Sequence, residues 1–212
     1  MPELQTLMTG IVFGESPRWH DDRLWFSDWG AQEVVAVDLE GQSEVIVRIP
    51  SFPFCIDWLP DGRLLIVSAR DRLLLRREPD GSLVTHTDLS GLSEHPWNDI
   101  VVDGRGNAYV GNTGFDFPGG EFASGILALV IPHGTARQVA DGVAFPNGMV
   151  VTPDKPACLG AWIGEPCSWW RRSGVAWRAL PKVNPPGRSL PPRRPPRAPA
   201  GRRRGGLGEY RQ

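Results

Sequence analysis

The chain has 212 residues, a formal net charge of −1 and three cysteines. This length can bury a sizeable core in one domain, and the sparse, odd cysteine count does not indicate a disulfide framework. The first ten residues lack the basic and apolar regions of a secretory signal, and no apolar run approaches the ~20 residues of a membrane span. We therefore expect a cytoplasmic protein without a membrane partner.

The near-neutral charge is the sum of two unlike segments. Residues 1–154 contain 22 Asp and Glu, 10 Arg and no Lys, whereas residues 155–212 contain 13 Lys and Arg and two Glu. The second segment also has ten prolines, together with arginine and glycine runs that oppose a packed core of regular elements. We therefore predict that residues 155–212 form an Arg/Pro/Gly-rich tail, either disordered or encoded out of frame.

Turn motifs divide residues 15–154 into repeats. The tetrapeptide at 21–24 is followed by similar ones at 61–64 and 103–106 and then by Asp154, at steps of 40, 42 and 51 residues. A second series, Glu40-Gly41, Asp80-Gly81 and His133-Gly134, has a matching phase. An insertion of about ten residues around 115–121 accounts for the long steps. Each unit therefore contains two recurrent turns.

Short apolar runs flank every turn, and none shows the period of an amphipathic helix, so the sequence predicts an all-β fold. A period of ~40 residues with four short strands is typical of β-propeller blades. Residues 10–154 would form a partial propeller of about three blades and the start of a fourth. Closed propellers need four to eight blades, so this domain would keep two open ends.

Three oxygen-bearing side chains share a phase in the repeats. Glu15, Asn98 and Asn147 each stand five to seven residues before a turn aspartate. In the second repeat the corresponding position, around Cys55, is apolar. Since the first strand of each blade lines the central channel, these oxygens would converge and suit Ca²⁺, Mg²⁺ or Mn²⁺. The alternatives are an exposed Glu15 at a strand start and ordinary turns at the two asparagines. Cys55 itself fits a buried small apolar residue.

Two further side chains are candidate substrate contacts. Asp28 and Asn112 follow the first β-run of their repeats, where they would face the mouth of the channel.

Three motifs, in order and at blade spacing, carry a family resemblance. The chain resembles the senescence marker protein/gluconolactonase/luciferin-regenerating enzyme family in three segments. These are residues 14–19 with 24–28, residues 97–99 with 102–106, and residues 145–149. The resemblance covers roughly residues 10–154. It implies a six-bladed propeller that binds one divalent cation (Ca, Mg, Mn or Zn). It also implies an enzyme that hydrolyses a small-molecule substrate, either a sugar lactone or a related ester.

The resemblance also assigns roles to single residues. Glu15 and Asn147 would be metal ligands, and Asn98 would contact the metal or the substrate. The family's remaining ligand, an Asp also assigned as the catalytic base, has no counterpart in 155–212, where the only acids are Glu165 and Glu209. The catalytic residue is therefore unknown, and we expect a truncated and impaired hydrolase. An arginine often found two positions before the Asn98 site is Pro96 here, which questions the lactone preference.

The tail and the function each keep alternatives. The composition of 155–212, rich in residues with GC-rich codons, favours a frameshift near codon 154 over a plain extension or a basic arm. A non-enzymatic propeller scaffold is a second functional hypothesis. An interaction protein with a nucleic-acid-binding tail ranks last, because the tail lacks regular aromatic–basic interleaving. Whether the partial propeller folds alone or dimerises stays open.

Overall fold

We describe residues 5–52, 54–152, 155–161 and 176–179 in a computed structural model of the chain. Within these ranges every regular element is a β-strand, and no helix has the length and apolar character needed to cross a membrane. The strands form four antiparallel sheets, three of them with four strands in simple sequential order. The prediction of an all-β fold is therefore confirmed.

The first sheet shows how a blade is built from tight turns. Its opening hairpin turns at Asp21 and Asp22, which both have positive φ (47° and 57°), the conformation that matches the strand twist and favours Asp, Asn and Gly. Its last two strands meet at the turn that contains Gly41. The strands of this blade are β1 (Gly14–His20), β2 (Arg23–Asp28), β3 (Glu33–Val37) and β4 (Ser43–Arg48).

The second and third sheets repeat this plan. In the second blade the first turn closes through a hydrogen bond from Gly62 N to Leu59 O (2.9 Å), with Gly62 at a φ of 82°. Its strands are β5 (Phe54–Trp58), β6 (Leu64–Ser68), β7 (Leu73–Arg77) and β8 (Leu83–Asp88). The third blade has β9 (Trp97–Val102), β10 (Ala108–Asn112), β11 (Gly125–Val130) and β12 (Ala136–Val143).

The fourth sheet has three strands in the described part of the chain: β13 (Pro146–Thr152), β14 (Lys155–Ala161) and β15 (Ala176–Ala179). The last two lie within the segment predicted to be a tail. Residues 162–175 and 180–212 lie outside the described residues, so the boundary at 154 and the disordered tail stay predictions.

The first strands of successive sheets lie side by side: β1 contacts β5, β5 contacts β9, and β9 contacts β13. The core fills the space between the sheets with side chains such as Phe54, Leu65, Trp97 and Ile100, all fully buried. This arrangement is that of neighbouring propeller blades with their first strands innermost, and it confirms the predicted partial propeller. The candidate ligands lie near the starts of β1, β9 and β13. Strands β9 and β13 are direct neighbours, and β5 lies between β1 and β9.

Candidate functional site

Glu15 lies at the start of β1, in register with Ser27 of β2 and just before a break in the pairing at Arg18. Its side chain is half-buried. Burial raises the pKa of Glu15 above its ordinary value, the backbone N–H of Ser16 opposes this rise, and the negative charge of Asp99 adds to it. Glu15 therefore contributes a partly desolvated carboxylate next to another buried acid.

Ser16 anchors this end of β1 to the next blade. Its buried hydroxyl accepts a hydrogen bond from Ile56 N (3.1 Å) and donates one to Ile56 O (3.3 Å). Because β5 is the innermost strand of its sheet, these backbone groups would otherwise face away from any partner strand. Ser16 also has a φ of 51°, which is uncommon for a non-glycine residue and fixes the direction of the chain after Glu15.

Asn98 lies in β9 with 2% of its surface exposed. Its amide nitrogen donates to the carbonyl of Pro146 in β13 (3.4 Å), and its amide oxygen lies 3.9 Å from the Cys55 thiol in β5. The Cys55 side chain is buried, as predicted, and burial raises its thiol pKa well above the ordinary value. Asn98 thus connects the second, third and fourth sheets, and it lies in a strand rather than in a turn.

Asp99, the buried residue that follows Asn98, was not among the site residues predicted from the sequence. Its buried carboxylate accepts a hydrogen bond from Met149 N (2.9 Å) in β13 and lies 3.5 Å from the Arg18 guanidinium of β1. Burial raises the pKa of Asp99, and the Arg18 charge and backbone N–H donors oppose that rise. Asp99 therefore ties together strands that carry Glu15 and Asn147. No signal in a single sequence separates this role from that of a turn aspartate.

Asn147 lies in β13, at a break in its pairing with β14 that coincides with a φ of 71° at Gly148. Its side chain is exposed, whereas its neighbours Pro146 and Met149 are buried. Those neighbours are the residues that Asn98 and Asp99 hold. The structure therefore brings the chain segments of Glu15, Asn98 and Asn147 into one connected network. Their role as ligands stays a prediction.

Asp28 and Asn112 hold loops at the ends of their strands. The Asp28 carboxylate accepts four backbone N–H groups, those of residues 12, 13, 30 and 31, at 2.9–3.1 Å. The Asn112 amide donates to the carbonyls of His95 and Pro96 (both 2.9 Å) and accepts from Gly114 N (2.9 Å). Both side chains are thus used within the protein, and their predicted contact with substrate is untested.

The loop bonds of Asp28 predict a pH-dependent stability. Burial raises the pKa of this carboxyl, but the four N–H donors outweigh it and hold the pKa below its ordinary 3.8. A group whose pKa is lowered by folding stabilises the protein above its unfolded pKa, and the contribution disappears as the pH falls through the folded pKa. We expect Asp28→Asn to lower the free energy of unfolding at pH 7 by ~1–3 kcal/mol.

Urea unfolding between neutral and acidic pH measures this effect. The difference between the wild type and Asp28→Asn should shrink below pH 3.8, and a constant difference would contradict the assignment. Asp141→Asn, at an exposed position, is the matched control and should be as stable as the wild type at pH 7.

The chemistry of the network fits a hard cation only weakly. Among the described residues, no group of three His, Cys, Asp or Glu side chains is placed to hold a metal ion. Glu15 would supply a single carboxylate, and the other two candidates supply neutral amide oxygens. Affinity for Ca²⁺ rises with the number of charged ligands, so this set predicts weak binding.

A cleft that the sequence analysis did not predict opens at the segment before β9. Its volume is about 610 Å³, and it is lined by Arg70 from the β6–β7 turn, by Glu94 and Pro96 before β9, and by residues 116–120 between β10 and β11. Pro96 stands two residues before Asn98, so the cleft adjoins the candidate ligands along the chain. Two signals in the sequence lie in this lining: the irregular repeat length around 115–121, and Pro96 in place of an arginine that the family often has there.

Comparison with known proteins agrees with the motifs. The chain is 28% identical over 151 residues to the pentonolactonase XacC of Haloferax volcanii, a match that covers 69% of this chain and 48% of that protein. The chain therefore spans about half the length of the curated relative that it matches.

Solved structures show the same fold. A gluconolactonase from Xanthomonas campestris superposes with a TM-score of 0.60 at 21% identity, covering 84% of this chain and 67% of that one. Regucalcin from Agrobacterium tumefaciens, a calcium-binding protein, gives 0.58 at 21% identity, with coverages of 73% and 52%. Residues 13–159 match the family model described as the SMP-30/Gluconolactonase/LRE-like region, and the chain belongs to this family.

Proposed function

We propose that this chain carries part of the site of a divalent-cation-dependent hydrolase of sugar lactones or related esters. The observation that supports it best is the network across the innermost strands. It links the segments of Asn98 and Asn147 on adjacent blades, and the Arg18–Asp99 pair links the strand of Glu15 to them. Lactonases among the relatives and the calcium-binding neighbour favour the same chemistry.

Each residue of the network would have one role in metal binding or in positioning. When bound, the cation supplies Lewis-acid polarisation of an ester carbonyl. Glu15 contributes the negative charge, and the oxygens of Asn98 and Asn147 complete a neutral part of the shell. The Arg18–Asp99 pair and the Ser16 hydroxyl hold these segments in place. With a single carboxylate and no residue assigned as the base, we expect weak metal binding and slow hydrolysis.

Metal titration tests the proposal directly. Calorimetric titration of the full chain with Ca²⁺ or Mn²⁺ should give a Kd of about 10⁻⁴ M or weaker. Glu15→Gln should weaken it at least ~tenfold, because the only charged ligand is lost. Glu40→Gln, at an exposed position outside the network, is the control and should bind like the wild type.

Three outcomes would change the proposal. Micromolar metal affinity together with rapid lactone turnover, measured as release of acid, would contradict the expectation of an impaired hydrolase. Equal affinity of Glu15→Gln and the wild type would remove Glu15 from the ligand set. Metal-independent behaviour throughout would favour the non-enzymatic scaffold. A cytoplasmic location and a nucleic-acid role of the tail stay predictions that these titrations do not address.

A further inference from the structure

The cleft contains an arginine that is held but not neutralised. The Arg70 guanidinium lies over the ring of Phe52, with Cζ 5.8 Å from the ring centroid. Phe52 in turn stacks on Phe117, a residue of the cleft wall, with ring centroids 6.5 Å apart and planes at 20°. Aromatic stacking restrains a guanidinium while its in-plane N–H donors stay available.

No carboxylate of the described residues pairs with Arg70. Arg18, Arg63 and Arg76 form ion pairs with Asp or Glu. Arg70, like Arg72 and Arg77, has no ion pair within the described ranges, and it also has no side-chain hydrogen bond there. The two acids that line the cleft with it, Glu94 and Asp116, are likewise not bonded to it. A free guanidinium of this kind favours bidentate binding of a carboxylate.

The acids limit which anion can enter. The Asp116 carboxylate is 80% exposed and lies 3.2 Å from His95 Nδ1, and Glu94 is exposed. Both can accept hydrogen bonds from hydroxyl groups, but they repel a second negative charge. The lining thus suits a ligand with one carboxylate for Arg70 and several hydroxyl donors for Glu94 and Asp116. That description fits a sugar acid better than a phosphate ester.

We propose that the cleft binds a sugar acid and that Arg70 is its carboxylate-binding, specificity-determining residue. The link to catalysis rests on the proposed function. Hydrolysis of a lactone adds water across the ring ester bond, with OH to the carbonyl carbon and H to the ring oxygen, and the hydroxy acid then ionises. Arg70 would therefore bind the carboxylate of the ring-opened product. It lies in the second blade, whereas Pro96, which replaces the arginine often found in the family, precedes the first strand of the third blade.

Binding of D-gluconate to the full chain in a chelating buffer tests this without any metal. Ligand-observed saturation-transfer NMR gives the affinity, and D-glucitol provides a probe in which a neutral hydroxymethyl group replaces the carboxylate. The wild type should prefer gluconate. Arg70→Gln should lose at least ~tenfold in gluconate affinity, and Arg70→Lys should lose nearly as much because an ammonium offers no planar fork.

Controls separate this proposal from a general loss of structure or function. Arg105→Gln, at an exposed turn position, should bind gluconate like the wild type, and Arg70→Gln should bind glucitol unchanged. Undetectable gluconate binding by the wild type, or equal binding by Arg70→Gln, would overturn the proposal. Arg70-dependent binding in a chain that hydrolyses no lactone, even with Mn²⁺, would support it and count against the proposed function alone.

Discussion

Replacing Gly125 with alanine should lower the free energy of unfolding by about 3 kcal/mol or more. A Cβ at this position would overlap the carbonyl oxygen of Asn112 and lie 3.0 Å from the carbonyl carbon of Thr113. These are backbone atoms of the neighbouring strand and its loop, so no rotation of a side chain relieves the contact. β10 and β11 would have to separate where Asn112 holds the loop before β9.

Urea unfolding followed by tryptophan fluorescence measures this cost. Gly104→Ala is a suitable control, because a Cβ there would meet nothing within 4 Å and its φ is not in the left-handed region. The control should stay within about 0.5 kcal/mol of the wild type. A Gly125→Ala variant as stable as the control would mean that the two strands are not packed this closely.

The repeats were sufficient to predict the blades. Turn motifs at steps of about 40 residues depend on local chain conformation, which the sequence encodes directly. The same local logic predicted a buried Cys55 and placed Glu15, Asn98 and Asn147 at the starts of the innermost strands. These expectations required only the position of each residue within its repeat.

Contacts between blades could not be predicted in this way. Asp99 reaches Met149 across 50 positions and Arg18 across 81, and a single sequence contains no sign of such pairs. The roles of Asp28 and Asn112 depend on the exact path of the loops whose N–H and C=O groups they bind. The sequence likewise shows Arg70 only as a turn residue, because neither its contact with the Phe52 ring nor the cleft that it lines with the insertion can be predicted from a single sequence.

Replacing Ser16 with alanine should cost ~2–4 kcal/mol, the second large effect on stability. The change leaves the N–H and C=O of Ile56 buried without their partner, and each unsatisfied group costs ~1–3 kcal/mol. It also loosens the only side chain–backbone clamp described between β1 and β5. Because Glu15 precedes Ser16, the loss should weaken metal binding as well as stability.

Ser51→Ala is the matched control for this prediction. Ser51 is also buried, but within the described residues its hydroxyl has no hydrogen-bond partner, so its removal should not lower the free energy of unfolding. Ser16→Gly separates two contributions, since glycine also loses the hydroxyl but accepts the φ of 51° without strain. If Ser16→Gly regains most of the stability lost in Ser16→Ala, relief of the strain at a φ of 51° offsets the loss of the hydroxyl. If both are equally unstable, the hydroxyl clamp holds the first two blades together.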